Sequence, residues 1–279
     1  MRKLLLIPLM LITYFLCGCG GGGPGGGEPA PRLKTAFLNP SDRLIPADSY
    51  DFQLAQSEDT NMVTSVAWQA TQPGTIIAYG GRTNVTGFGQ WTAFLAEVAK
   101  YPAMTHAYVY DELGWKGGVY DLSDQTAALA ASTQARAQGL KTVVTYMPEV
   151  VLNPAFTLGV TNGFDIIAID IYPNVNVSYS VPNAYPGNRY SNLLKATYDK
   201  LRAMGFTGEV WYIYQAFDVA GNEPTWFHDQ LVLQRATIDA SLAMGITGIV
   251  PFGMYLGAPA QAREPWLIPL EDTQPLVIP

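Results

Sequence analysis

Three times along this 279-residue chain a helical pattern runs into a glycine and then into a strand-like run: Gln138-Gly139-Leu140, Met204-Gly205-Phe206 and Met244-Gly245-Ile246. Glycine just past a helix end supplies the left-handed backbone that stops it. Repeated, that unit alternates helix with strand, and strands joined through helices lie parallel. The helical patterns cover 90–100, 124–138, 190–204 and 225–244. Strand-like runs cover 64–69, 76–80, 106–111, 142–147, 166–172, 210–215 and 249–252. They are apolar almost throughout rather than alternating, as strands covered on both faces are. The expected fold is α/β, a parallel (β/α)8 barrel rather than an open doubly wound sheet. The runs fall one short of the eight that a closed barrel needs. One strand is therefore incomplete or irregular, hidden in 34–39 or in the 173–190 stretch, or absent. Residues 32–62, with Pro40, Pro46, Asp48, Asp51, Glu58 and Asp59, read as irregular cover or a short edge element.

The first residues read as an export signal. Arg2 and Lys3 head an apolar run over 4–16 that is too short to span a bilayer comfortably. The run ends in Leu16-Cys17-Gly18-Cys19, which resembles the lipobox of bacterial lipoprotein signals. That resemblance implies cleavage after Gly18 and a lipid on Cys19; an ordinary secretory signal cut nearby is the alternative. In the lipoprotein scheme Gly20, standing where an aspartate would retain the protein in the inner membrane, favours the outer membrane. Residues 20–31 are almost only Gly and Pro, a composition that buries no core and serves as a tether. The expected organisation is a signal over 1–18, the lipidated cysteine and tether over 19–33, and one barrel domain over 34–279. Both cysteines of the chain lie in the leading part, so no disulfide is expected in the domain. A monomer held in the cell envelope by its lipid is the expected state.

The formal net charge is -7, and the basic residues are scattered rather than clustered. Nucleic acid is an unsuitable partner for such a surface. No Gly-x-Gly-x-x-Gly follows an early strand and no phosphate-binding loop is present, which removes support for nucleotide cofactors. The two histidines, His106 and His228, lie far apart, so a His/Cys metal site is not expected and neither is a serine triad. His106 reads as a strand residue and His228 as an exposed helix residue. A hard-cation site built from Asp111, Glu112 and Asp170 has no loop pattern behind it. No cofactor or metal is expected.

In parallel α/β folds the carboxyl ends of the strands carry the chemistry. The stretch Tyr108-Val-Tyr-Asp-Glu-Leu-Gly-Trp115 delivers adjacent carboxylates, Asp111 and Glu112, at such an end. Two acids there can divide one reaction, one staying charged and one holding a proton. Alternatively, Asp111 caps the next turn and Glu112 is merely solvated. The run 142–147 ends near Tyr146 and Glu149, 166–172 carries Asp170 and Tyr172, 210–215 ends in Gln215, and the last run leads to Tyr255. Carboxylates for proton transfer, amides for hydroxyls and flat rings for sugar faces are what a polysaccharide or oligosaccharide cleft requires.

The run Phe164-Asp-Ile-Ile-Ala-Ile-Asp-Ile-Tyr-Pro173 resembles the Asp-x-x-Asp-x-Asp-x-Glu strand motif of family 18 chitinases and related TIM barrels. Asp165 and Asp170 match its first and third acids, Ala168 replaces the second, and Tyr172 stands where that family has its catalytic glutamate. The Asp111-Glu112 pair resembles that of β-N-acetylhexosaminidases. This implies that Asp111 orients the substrate's acetamido group and Glu112 protonates the leaving oxygen. Such pairs sit near the fourth barrel strand, whereas the runs above make Asp111 the end of the second or third. Residues 209–217 and 244–250 look like the last two strands of many glycosidase barrels, with Gln215 where retaining members carry a nucleophilic glutamate. The expected catalytic residues are thus Glu112 as general acid, with Asp111, Asp170 and Glu149. Trp115, Tyr172, Gln215, Tyr146 and Tyr255 are expected to bind substrate. The expected function is a glycoside hydrolase on an extracellular or cell-envelope polysaccharide. The alternative is a non-catalytic carbohydrate-binding or structural lipoprotein on a degenerate barrel.

Lipidation has a direct test. Cys19→Ser should leave an unprocessed or soluble product in membrane fractionation, and unchanged membrane attachment would count against the lipid.

Overall fold

The computed structural model describes residues 34–39, 52–55, 62–71, 75–80, 88–116, 119–157, 163–171, 189–215 and 237–252. All belong to the compact unit Arg32–Pro279. Cys19 and the expected signal and tether lie outside the described residues.

Eight parallel strands close into a barrel. In chain order they are β1 (Lys34–Asn39), β2 (Phe52–Ala55), β3 (Ile76–Tyr79), β4 (Met104–Tyr110), β7 (Lys141–Tyr146), β8 (Ile166–Ile171), β9 (Glu209–Gln215) and β10 (Gly248–Phe252). Between β4 and β7, β5 (Trp115–Lys116) and β6 (Val119–Tyr120) form a small antiparallel hairpin. The barrel closes where Thr35 pairs with Ile249 and Leu38 with Phe252. The expected (β/α) barrel is therefore the observed one, and its hidden strand is β1 at 34–39.

Two expectations fail nearby. Residues 64–69, expected as a strand, belong to helix α1 (Met62–Gln69). Its β-branched residues mimic a strand, but Val66 and Gln69 are buried while Ala67 is exposed, a helical spacing. The four residues of β2 fall in the stretch expected as irregular cover or a short edge element, yet they form a strand paired on both sides. They carry too little periodicity to read, and pairing with β1 and β3 on either side holds them extended. With these changes β4 is the fourth strand of the barrel rather than the second or third, and β9 and β10 are the last two.

The helices are α1, α2 (Phe88–Val98), α3 (Gln125–Ala137), the short α4 (Pro148–Leu152), α5 (Arg189–Ala203) and α6 over 237–244. The 225–236 part of the last expected helix, and His228 with it, lies outside the described residues. Each glycine stop works in the same way. Gly139, Gly205 and Gly245 have φ of 81°, 86° and 93°. At the first, the Gly139 N–H donates to Arg136 O (2.9 Å) and the Leu140 N–H to Ala135 O (3.2 Å). Gly205 and Phe206 repeat this pair on Arg202 and Leu201, and Gly245 and Ile246 repeat it on Leu242 and Ser241. Carbonyls that the helix end would orphan are thereby satisfied, and the chain is turned back into the sheet.

Side chains of the strands divide between two cores. Ile77, Tyr108, Val143, Ile166, Ala168, Trp211, Ile213 and Val250 fill the barrel interior with Phe52 and Tyr79. The alternate residues, such as Ala78, Val109, Val144, Ile167, Ile169 and Tyr212, pack outward against helix residues including Phe94, Leu95, Ala131, Leu194 and Leu201. Near the amino ends, Trp211 lies 5.5 Å from the Phe52 ring, which meets His106 at 4.8 Å. His106 is thus a buried strand residue, as expected.

Trp211 fills the space that a side chain on its partner Gly248 would need: a Cβ there would lie 2.7 Å from the indole. Gly248→Ala should destabilise the fold by about 1–3 kcal/mol through overpacking. Chemical denaturation that shows no loss would mean the indole can move aside.

Candidate active site

The carboxyl end of β4 is where the structure departs most from simple alternation. The pairing of β4 with β7 slips between Tyr108, opposite Val143, and Tyr110, opposite Val144. In a regular strand these tyrosines would share a face. Instead Tyr108 lies in the barrel interior, while Tyr110 joins the outer core and its hydroxyl bonds Asp124 Oδ2. The slip also turns Asp111 back toward the interior, where its Oδ1 accepts a hydrogen bond from the Tyr108 hydroxyl at 2.8 Å. The same hydroxyl bonds Thr145 Oγ1 on the inner face of β7. Burial, and then the charge of Asp111, pushes the Tyr108 hydroxyl well above the ordinary tyrosine range, so it stays protonated and donates.

Beyond Asp111 the chain makes a tight turn. Glu112 has φ of 48°, the left-handed region, and is the one non-glycine residue with positive φ among the described residues. Such a backbone costs about 1–2 kcal/mol outside glycine. It is imposed by its surroundings: the Glu112 carbonyl accepts the Trp115 N–H, and the Leu113 N–H donates to Thr145 O at 2.9 Å. Gly114, at φ 85°, leaves no room for a Cβ, which would lie 2.6 Å from Val150. Strain held by over-determined surroundings is a frequent mark of functional positions. Glu112 and Asp111 are both half-buried, and adjacent carboxylates thus stand at the carboxyl end of the fourth barrel strand.

The other expected residues fall in different places. Asp170 is buried at 2% exposure on β8. By alternation it shares the inward face with Ile166 and Ala168, two residues beyond the Ala168 that pairs with Thr145. Asp111, Thr145 and Asp170 thus belong to the inward side of consecutive strands. Glu149 follows Pro148 in the first turn of α4, half-buried with its carboxylate oxygens shielded from solvent. Tyr146 is not on the barrel interior: it packs outward, edge-on to Phe156 at 5.3 Å. Trp115 sits on the hairpin and packs against this same outer core. Alternation decides the first placement, since inward Thr145 forces Tyr146 out, whereas Trp115 follows the turn after Glu112 into the hairpin. Gln215 ends β9 opposite Phe252. Tyr172 and Tyr255 lie outside the described residues.

Sequence reasoning missed Tyr79, Tyr108 and Thr145. Tyr79 stacks on Tyr108 with ring centroids 5.1 Å apart and planes at 25°. Its own N–H donates to Gln69 Oε1 at 2.8 Å, a side chain standing in for a strand partner. The signal available was the aromatic residue near the end of each of two strand runs; the register slip that makes Tyr108 meet Asp111 leaves no trace in residue pattern. Asp165, the other acid matched to the chitinase motif, lies at the opposite end of β8. It accepts bonds from the Thr142 backbone and hydroxyl, both at 2.9 Å, and faces Arg136 at 3.5 Å. Among the described residues no group of three or more His, Cys, Asp or Glu side chains could hold a metal, and no helix is long and apolar enough to cross a membrane.

No family model matches the chain's sequence, and no curated protein matches it. Solved structures do resemble its fold. A GH18 chitinase from Pseudoalteromonas aurantia aligns over 86% of this chain and 99% of its own, with 10% identity and a TM-score of 0.51. A GH10 endo-β-1,4-xylanase from Gloeophyllum trabeum aligns over 83% and 88%, with 12% identity and a TM-score of 0.51. A β-glucuronidase from an uncultured Clostridium sp. aligns over 80% of this chain but 44% of its own, with 13% identity and a TM-score of 0.50. The architecture is thus the TIM barrel found in those glycoside hydrolases. At such identities the likeness concerns the fold.

The outward placement of Tyr146 generates a stability prediction. Its hydroxyl is buried without a hydrogen-bond partner among the described residues, and burial, then the Tyr120 phenol, raises its pKa well above the usual value. An unfolded tyrosine ionises near pH 10, before the folded one does. The unfolded chain therefore loses its proton first, so stability is intact below about pH 10 and falls above it. Tyr146→Phe should raise stability by about 1 kcal/mol at neutral pH and make the alkaline fall shallower. Thermal melts at pH 7 and pH 11 test both, and an unchanged alkaline slope would mean the hydroxyl is satisfied.

Proposed function

We propose that the chain is a glycoside hydrolase acting on an extracellular or cell-envelope polysaccharide or oligosaccharide. The observation that carries this reading is the Asp111–Glu112 pair at the carboxyl end of the fourth barrel strand, with Asp111 held by the inward Tyr108 hydroxyl. The fourth strand is where hexosaminidase barrels, which the pair resembles, carry theirs. Glu112 acts as general acid on the leaving oxygen. Asp111 accepts a donor from the substrate, an acetamido N–H in the hexosaminidase scheme, or faces the positive charge that develops at the anomeric carbon. Gln215 ends the seventh strand, and a neutral amide cannot serve as nucleophile there. That agrees with a substrate acetamido group as nucleophile. Without one, a second carboxylate, Asp170 or Glu149, activates water. Export over 1–18 and a lipid on Cys19 would place the domain at the cell envelope, with the outer membrane favoured.

A second reading is a carbohydrate-binding lipoprotein on a degenerate barrel. Gln215, together with Ala168 and Tyr172 at acid positions of the chitinase motif, favours it. Glu112→Gln separates the two. Loss of a general acid costs about 100- to 10,000-fold in rate, and less for activated leaving groups. The variant should lose cleavage of the natural polymer yet retain cleavage of an aryl glycoside with a good leaving group. Wild-type protein that binds glycans across a polysaccharide panel and cleaves none supports the binder. Equal polymer cleavage by wild type and Glu112→Gln removes Glu112 from the role and makes Glu149 the next acid to test.

A further inference from the structure

Tyr108 has one proton and two hydrogen-bond partners, Asp111 Oδ1 at 2.8 Å and Thr145 Oγ1. An ionised carboxylate only accepts, so the Tyr108 proton goes to Asp111. The Thr145 hydroxyl must then donate to Tyr108, and the direction of the chain Thr145 to Tyr108 to Asp111 is fixed. Both hydroxyl residues are removed from solvent, Tyr108 at 3% and Thr145 at 0% exposure, so water does not compete. A donor that itself accepts a bond is polarised, and its own bond strengthens. The Tyr79 ring covers one face of Tyr108, and Gln69, fully buried in α1, pins the Tyr79 backbone. The assembly therefore draws on β3, β4, β7 and a helix to hold one hydroxyl against one carboxylate.

We propose that Tyr108 is a positioning residue, which, aligned by Thr145, holds Asp111 in one rotamer as a charged acceptor at the mouth of the barrel. The catalytic consequence rests on the hydrolase reading; the effect on Asp111 does not. A hydrogen bond to the charged form of a carboxyl favours that form, so losing it makes Asp111 easier to protonate. Tyr108 bonds Asp111 directly, Glu112 follows it in the chain, and on the inward side of the strands around it stand Tyr79 on β3, uncharged Thr145 on β7 and Asp170 on β8.

Selective carbon-13 labelling of aspartate carboxyls in the full chain, with Asp111→Asn to assign the signal, gives the Asp111 titration midpoint directly. Tyr108→Phe should move that midpoint up by about one pH unit. Thr145→Val should move it up by less, since Tyr108 still donates, and Thr145→Ser should restore the wild-type value. With a cleaved substrate in hand, Tyr108→Phe should lower kcat about 10-fold, leave KM within about 2-fold, and shift the acid limb of the rate profile upward by the same amount. A merely structural tyrosine would change melting temperature and leave the midpoint in place. A Tyr108→Phe midpoint equal to wild type in a folded chain overturns the proposal. If Tyr108→Phe fails to fold, the Thr145→Val and Thr145→Ser pair decides it, with equal midpoints as the overturning result. A wild type inactive on every glycan defeats the hydrolase reading, while the titration still judges the positioning.

Discussion

Closure of the sheet between Lys34–Asn39 and Gly248–Phe252 is the constraint from which the remaining features follow. An open parallel sheet leaves unpaired edges, whereas a closed one pairs every strand on both sides. Once closed, eight strands of the same direction bring all their carboxyl ends to one mouth. Every inward side chain then competes for a single lumen. Large residues fill it near the amino ends, where Trp211 occupies the space left by Gly248. Toward the mouth the inward positions turn polar, with Tyr108, Thr145 and Asp170.

Acidic residues show how one residue type takes two roles at the two ends of this barrel. Asp165 and Glu209 stand where β8 and β9 begin. Asp165 ties the start of β7 to β8 through Thr142 and meets Arg136. Glu209 accepts from the Trp211 indole at 3.1 Å and faces Lys141 at 3.7 Å. The cations of these pairs are exposed, so each contributes little by charge alone and acts chiefly by fixing register. Asp111 and Asp170, at the other ends of their strands, are turned inward.

The slip in β4 links fold to site. A single extra residue between Tyr108 and Tyr110 sends the Tyr110 hydroxyl outward to Asp124 at the start of α3 and returns Asp111 to the face of Tyr108. Bulges beside active sites commonly re-aim a side chain in this way. The following turn is then held by Leu113 on β7 and by Gly114 against Val150, and Glu112 absorbs the left-handed backbone. Local strain at one carboxylate is thus maintained by the packing of β7 and α4.

Much of the architecture was legible in the residues themselves. The helix-glycine-strand repeat carries its own mechanism, because only a residue that tolerates positive φ can end a helix and redirect the chain at Gly139, Gly205 and Gly245. Uniformly apolar runs at β4, β7, β8, β9 and β10 announced strands covered on both faces. The Asp111-Glu112 pair was also visible, because strand ends are marked by where apolar runs stop. The tertiary structure alone decided the rest. Residues 62–69 became a helix and Phe52–Ala55 a strand because short segments take the form their neighbours impose. Which way each side chain points depends on register, and one slipped residue inverts the faces of all that follow. Regular alternation on β7 therefore sends Tyr146, expected at the cleft, to the outer core where Trp115 also packs, while the slip in β4 lets Tyr108, held by Thr145 and unmarked in sequence, meet Asp111.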